Sequence, residues 1–240
     1  MTLIRIGYLH LFREESMMSF TAQTLSVVIG GHSGIGEAVV AALSNRPGRV
    51  IAASRRDGVD VTDPATLEAF FQHHGPLDHL VITAGSQAPG GHFLALDNAA
   101  AKSAFDTKFW GTLAIIKAAA PHLKPNGSIT LTSGFLARKT VPGTLVKTAM
   151  NAALEASAKI LARELAPLRV NVVSPGLTDT SAYQAMSPES RQAMLERAAT
   201  TLPAGRYGRA QDIAAGYLLA IDNPFMTGAT IDLDGGALIN

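Results

Sequence analysis

The stretch Leu25-Ser26-Val27-Val28-Ile29-Gly30-Gly31-His32-Ser33-Gly34-Ile35-Gly36-Glu37-Ala38-Val39 decides the fold. Leu25 to Ile29 is a short apolar run without alternation, which is the pattern of a strand buried on both faces. Gly34 to Ser44 carries helical spacing. The turn between them is spaced GxxxGxG. A glycine turn between a buried strand and a helix offers backbone N–H groups and a helix N-terminus to an anion. Gly30 permits the tight exit, Gly34 lets a phosphate reach the backbone, and Gly36 lets the helix pack on the sheet. In a chain with 22 glycines a bare triplet is weak. Its position makes it a pyrophosphate-binding turn, completed by His32, Ser33 and Ile35.

Outward from this unit, short apolar runs alternate with helical patterns. Strands are expected at Arg49 to Ala53, Leu80 to Thr83, Ser128 to Thr132, Val170 to Val173 and Ala229 to Leu233. Helices are expected over Pro64 to His73, Thr144 to Ala166, Ser187 to Thr200 and Gln211 to Ala220, with a long segment over Asp97 to Leu123 that one break could divide. Asp63 is placed to cap the helix that Pro64 opens. A (β/α)8 barrel also suits 240 residues, but the glycine turn favours a doubly wound sheet. We therefore expect an α/β, single-domain doubly wound Rossmann fold over residues 19–240. Residues 1–18, with Met17 and Met18 at their end, are expected to form an N-terminal extension, neither signal peptide nor membrane span.

Composition narrows the function. Apolar residues are 47% and charged residues 16%, too hydrophobic for a disordered chain. Twenty Lys+Arg against nineteen Asp+Glu leave +1, no basic surplus for nucleic acid and no membrane-binding excess. With no cysteine, disulfides, thiolate metal sites and a Cys nucleophile are excluded, and a reducing cytoplasm suits the chain. The histidines show no metal-ligand spacing.

The second strand leads to the adenosine ribose. An acidic residue there binds a free 2′-hydroxyl, whereas Arg accommodates a 2′-phosphate. This chain reads Ser54-Arg55-Arg56, with Asp57 as the alternative ribose ligand. Ser54 can donate to phosphate and either Arg can neutralise it, so NADP(H) is preferred over NAD(H).

With these residues in hand, the chain from Leu25 onward resembles the short-chain dehydrogenase/reductase family. Asp60-Val61 matches the pair that contacts adenine in relatives. Ile82-Thr83-Ala84-Gly85 falls at the family's Asn-Asn-Ala-Gly motif, with both Asn replaced. Arg169-Val170-Asn171 and Ser174-Pro175-Gly176 match the segment whose turn faces nicotinamide, with Thr178 and Thr180 following where relatives bind the cofactor. Ile231-Asp232-Leu233-Asp234-Gly235-Gly236 matches the last strand. The resemblance implies a seven-stranded parallel sheet flanked by helices, a small carbonyl/alcohol substrate and a homo-oligomer, a dimer or tetramer.

At the catalytic positions the resemblance breaks. The family uses Asn, Ser, Tyr and a Lys four residues after the Tyr. Ser133 matches the Ser. Register marks at Ala152-Ala153-Leu154-Glu155 put Lys147 at the Tyr position and Asn151 at the Lys position, while Lys108 stands at the Asn position. Tyrosines occur only at 8, 183, 207 and 217, none near in sequence. Three readings follow. Lys147 acts as proton donor or base, Ser133 positions the carbonyl, Lys108 restores charge near the ribose and Asn151 hydrogen-bonds it. Or the protein is a dinucleotide-binding sensor or scaffold without efficient redox turnover. Or the cleft serves non-redox proton-transfer chemistry. Two ammonium groups in one cleft depress each other's pKa, and burial depresses them further. The segment Thr178 to Leu202, with Tyr183, is where relatives carry a substrate lid, and Trp110 is expected at a packing or subunit interface.

Overall fold

The structure is a computed structural model that describes residues 20–85 and 87–240; the expected extension, residues 1–18, lies outside the described residues. Six strands form a parallel sheet: β1 (Leu25–Ile29), β2 (Arg49–Ala53), β3 (Leu77–Ile82), β4 (Leu123–Thr132), β5 (Arg169–Pro175) and β8 (Thr230–Leu233). Their order is β2-β1-β3-β4-β5-β8. A separate two-residue ladder pairs β6 (Thr178–Asp179) with β7 (Gly208–Arg209).

The seven-stranded expectation is corrected to six. Among the described residues no strand forms between β2 and the next helix, because β2 ends at Ala53 and that helix opens at Pro64. A parallel neighbour needs a crossover of about a dozen residues or more in addition to the strand itself. A single 3-10 turn at Arg55–Asp57 fills the gap instead, and β2 is left as the sheet edge.

The helices are α1 (Gly34–Ser44), α2 (Pro64–His74), α3 (Asn98–Phe105), α4 (Gly111–Ala119), α5 (Leu145–Glu164), α6 (Pro188–Thr201) and α7 (Ala210–Asp222). Asp63 caps α2 as expected, accepting from the Ala65 amide at 3.0 Å. Side chains alternate across the sheet with the period of two that strands impose. Val27, Ile29, Leu80, Ile82, Val170 and Val172 meet α2, α4 and α5. Val28, Val81 and Val173 meet α1 and α7, where Val39, Leu43, Ile213 and Tyr217 are buried. Among the packed histidines, His79 lies inside the sheet layer, bonded to Ser128 at 2.9 Å, and burial lowers its pKa to about 4.

Arg169 closes the far end of the sheet. It is 7% exposed and donates to the carbonyls of Ala220, Ile221, Asn223 and Met226, the loose end of α7 and the loop after it. Removing a buried donor leaves its acceptors unsatisfied. Arg169→Met is therefore expected to cost roughly 3 kcal/mol, read as a lower urea midpoint with an unchanged slope. An unchanged midpoint would remove the argument.

Candidate active site and cofactor cleft

The parallel order reverses its direction of travel at β1, with β2 on one side and β3 on the other. Ligands of such sheets bind in the crevice beyond the strand ends at this switch point. A cleft of about 570 Å³ opens there. Its floor is the glycine turn: Gly30, Ser33, Gly34, Ile35 and Gly36 all line it.

Two glycines in this wall are required by contact. At Gly36 a Cβ would stand 2.2 Å from the Gly30 carbonyl oxygen and 2.5 Å from Thr83 Oγ1. At Gly85, which has φ +81°, a Cβ would stand 2.9 Å from the Cα of Lys108. The first contact holds α1 against β1, and the second brings the Lys108 backbone against the end of β3.

Ser33 is the N-cap of α1, in extended backbone, and its side chain makes no capping bond. The first-turn N–H groups have no acceptor within the helix. This is the donor set that a pyrophosphate uses. Arg55 lines the cleft at the end of β2, while Ser54, Arg56, Asp60, Val61 and His32 do not. Asp57 accepts from the Ser54 amide at 2.9 Å and its hydroxyl at 3.2 Å, and it pairs with His32 Nε2 at 2.7 Å. Burial alone would raise the Asp57 carboxyl, but the His32 and Ser54 hydrogen bonds outweigh it and hold the carboxyl below its usual value. Asp60 is likewise engaged, by Thr62, and held low. Val61 is buried against Gly111.

The opposite end of the cleft holds Lys108, Ser133, Lys147 and Asn151, together with Ala84, Gly85, Pro175, Gly176, Thr178 and Thr180. Lys147 and Asn151 lie one turn apart on α5, as their spacing requires. Asn151 packs over Gly134, where a Cβ would sit 2.9 Å from its Nδ2. Lys108 comes from a π-helical stretch, Asp106–Trp110, set between α3 and α4. Such bulges reorient side chains and recur at functional sites. Lys108 is 5% exposed, and no carboxylate among the described residues lies within ion-pair distance. Burial first, and the Lys147 charge second, lower its pKa to about 8. The mutual depression anticipated for the two lysines therefore acts on Lys108.

Two features escaped the sequence, the partner of Ser133 and the reach of Gln87, while Tyr183 stands in the expected lid segment. Ser133 Oγ donates to Glu155 Oε1 at 2.8 Å. Glu155 also pairs with Arg138 Nε at 3.1 Å, and Arg138 continues to Asp232 on β8 at 2.7 Å. In the sequence Glu155 is only a register mark, and the meeting of β4 with α5 brings it to Ser133. Tyr183 lines the cleft from a 3-10 turn in the lid segment, and burial raises its pKa. Gln87 reaches across to the Ala182 carbonyl at 3.5 Å.

A family model described as enoyl-(acyl carrier protein) reductase matches residues 19–237. A short-chain dehydrogenase/reductase from Stachybotrys chlorohalonatus is 32% identical, the match covering 89% of this chain and 96% of that protein. The chain belongs to the short-chain dehydrogenase/reductase family. As a short-chain dehydrogenase/reductase it is also similar to the 3-oxoacyl-[acyl-carrier-protein] reductase of Escherichia coli, 27% identical over 88% of this chain and 96% of that protein. Among solved structures, a small-chain dehydrogenase in complex with NADPH is 50% identical, with TM-score 0.89, covering 91% of this chain and all of that one. No described helix of this short-chain dehydrogenase/reductase is long and apolar enough to cross a membrane.

Proposed function

We propose that this short-chain dehydrogenase/reductase is an NADP(H)-dependent oxidoreductase acting on a small carbonyl/alcohol pair, with a lysine in the proton-transfer role of the family tyrosine. One observation carries the reading: a single cleft joins the uncapped glycine turn and Arg55 to Ser133, Lys108 and Lys147. The residues present fit the cofactor. The α1 N-terminus would take the pyrophosphate and Arg55 the 2′-phosphate, and Asp57 is already engaged by His32 and Ser54 rather than free for a ribose diol. The NADPH complex of the 50%-identical protein supports the same choice. Ser54, Arg56, Asp60 and Val61 flank the adenosine end from outside the cleft wall, and Pro175, Gly176, Thr178 and Thr180 border the nicotinamide end.

Bound NADP(H) supplies or accepts the hydride. The chain must orient the carbonyl and deliver a proton. Because Ser133 gives its hydroxyl proton to Glu155, its oxygen is left as an acceptor toward the cleft. The donors to the substrate oxygen are then the ammonium groups. Lys108, with its pKa near 8, is the better proton donor, and Lys147 is the partner whose charge depresses it. This exchanges the roles expected from sequence alone. Asn151 is placed to hold the nicotinamide ribose.

Two measurements test this. In reduction Lys108 must be protonated, so kcat/KM for NADPH oxidation with a carbonyl panel should fall as pH rises through about 8, and that of the reverse reaction should rise. A flat profile from pH 6 to 10 with full activity in Lys108→Gln would falsify the assignment. Arg55→Ala should weaken NADPH binding about 10- to 100-fold and leave NADH nearly unchanged, the loss of one charge-assisted phosphate contact. Equal effects on both cofactors would refute the NADP(H) preference.

A dinucleotide-binding sensor is the second reading. Lys147 and Asn151 standing at the family's Tyr and Lys positions favour it, and it predicts tight NADPH binding without turnover on any carbonyl. We further propose a cytoplasmic homo-oligomer. The exposed Trp110 (58%), Leu145 (50%) and Ile160 (56%), on the π-helical stretch and α5, support an interface there.

A further inference from the structure

We propose that the reacting end of this cleft is an oxyanion site, so that the substrate is an oxo-carboxylic acid whose carboxylate is held by Lys108 and Lys147. The inference rests on the NADP(H) reading and deepens it by naming the substrate class.

The charge of the cleft wall is one-sided. Arg55, Lys108 and Lys147 line it, and no Asp or Glu among the described residues does. The acids around it are already committed to other partners. Glu155 is taken by Ser133 and Arg138, Asp232 by Arg138, Asp179 by Arg191 at 3.0 Å, and Asp57 by His32. Lys108 is 95% buried, yet its ammonium has no hydrogen-bond acceptor among the described residues. An ammonium largely withdrawn from water, with no carboxylate beside it among the described residues, is costly unless something in the cleft supplies the negative charge.

The cofactor does not supply it. Its pyrophosphate belongs over the α1 N-terminus and its 2′-phosphate beside Arg55, at the end of β2. Lys108 and Lys147 lie across the switch point, beyond β3, next to Ser133 at the end of β4. The nicotinamide and its ribose are not anionic sites. The positive charge left at this end therefore belongs to the substrate. Phe135, Leu136, Met150 and Tyr183 complete the wall, so the body of the substrate meets apolar and aromatic surface. A carboxylate beside the carbonyl would also keep Lys108 charged, and so ready to donate, when the substrate is bound.

The test uses the full chain saturated with NADPH, saturation being confirmed first by the fluorescence of the bound nucleotide. The complex is then titrated with oxamate, an unreactive stand-in for a 2-oxo carboxylate, and with neutral oxamide of nearly the same size. Oxamate is expected to bind at least tenfold tighter than oxamide. Lys147→Met should bring the two within threefold, and Lys147→Arg should restore most of the preference. Equal binding of the two probes would overturn the proposal, as would a preference that survives both Lys147→Met and Lys108→Met. Displacement of NADPH by oxamate would overturn it too, because the anion would then sit at the phosphate turn. Failure of the first step, no NADPH binding, would instead overturn the cofactor reading on which the proposal stands.

Discussion

Lys108→Met is expected to make the protein more stable at neutral pH while removing its turnover. The buried ammonium has its pKa lowered from 10.5 to about 8, and each unit is worth 1.36 kcal/mol. The folded state therefore carries a penalty of about 3 kcal/mol below pH 8, which a methionine of similar length relieves. The sign follows from proton counting. Between about pH 8 and 10.5 the unfolded chain holds this proton and the folded chain has released it, so wild-type stability rises with pH across that window. The penalty is complete below the window and absent above it. The gap between variant and wild type should thus be widest near pH 7, narrow from 8 upward and close above about 10.5. Urea unfolding of both proteins at pH 7, 9 and 10.5 measures it, and comparing the two cancels groups that titrate in both. A variant less stable than wild type at pH 7, or a gap independent of pH, would show that Lys108 carries no such penalty.

Gly36→Ala is expected to abolish cofactor binding and to lower stability by 3 kcal/mol or more, at the upper end of overpacking costs of roughly 1–3 kcal/mol. The added methyl group would meet the Gly30 carbonyl oxygen at 2.2 Å, and both groups are backbone held by the β1–α1 junction. Neither can move aside alone, so α1 must lift from the strand and take its first-turn N–H groups with it. Loss of NADPH fluorescence enhancement together with a lowered unfolding midpoint is the expected result. Gly205→Ala is the control. Gly205 has φ +65° and nothing within 4 Å of an added Cβ. It should cost about 1 kcal/mol of backbone strain and leave NADPH binding intact. If Gly36→Ala bound NADPH as wild type does, the close-contact account of the turn would fail.

Much of the site was legible because it is local. The glycine turn, its flanking strand and helix, and Arg55 at the end of β2 all follow from runs of adjacent residues whose burial and turn chemistry are read directly. The same holds for Lys147 and Asn151, whose four-residue spacing already places them on one helix face. The error in strand number has a local origin as well. The residues themselves offered six strand-like runs, and the seventh came with the family pattern, which the ten residues 54–63 are too few to house alongside a crossover.

What the chain could not display in one dimension is which distant groups meet. Ser133 and Glu155 are separated by 22 positions, and Arg138 and Asp232 by 94. Their contact depends on α5 crossing beside β4 and on β8 joining β5. The pairing of His32 with Asp57 has the same character: it turns a plausible ribose ligand into a clip between two turns. The choice between the two lysines was also tertiary. Their residue type and proximity in the family pattern predicted mutual depression, but the depth of burial sets its size, and only the π-helical stretch drawn against Gly85 buries Lys108. Sequence by itself determined the fold class, the glycine turn and the identity of the charged groups, because those rest on local periodicity and residue chemistry. Tertiary structure decided which charges are neutralised and which are left to face the cleft, because pairing and desolvation are properties of positions in space.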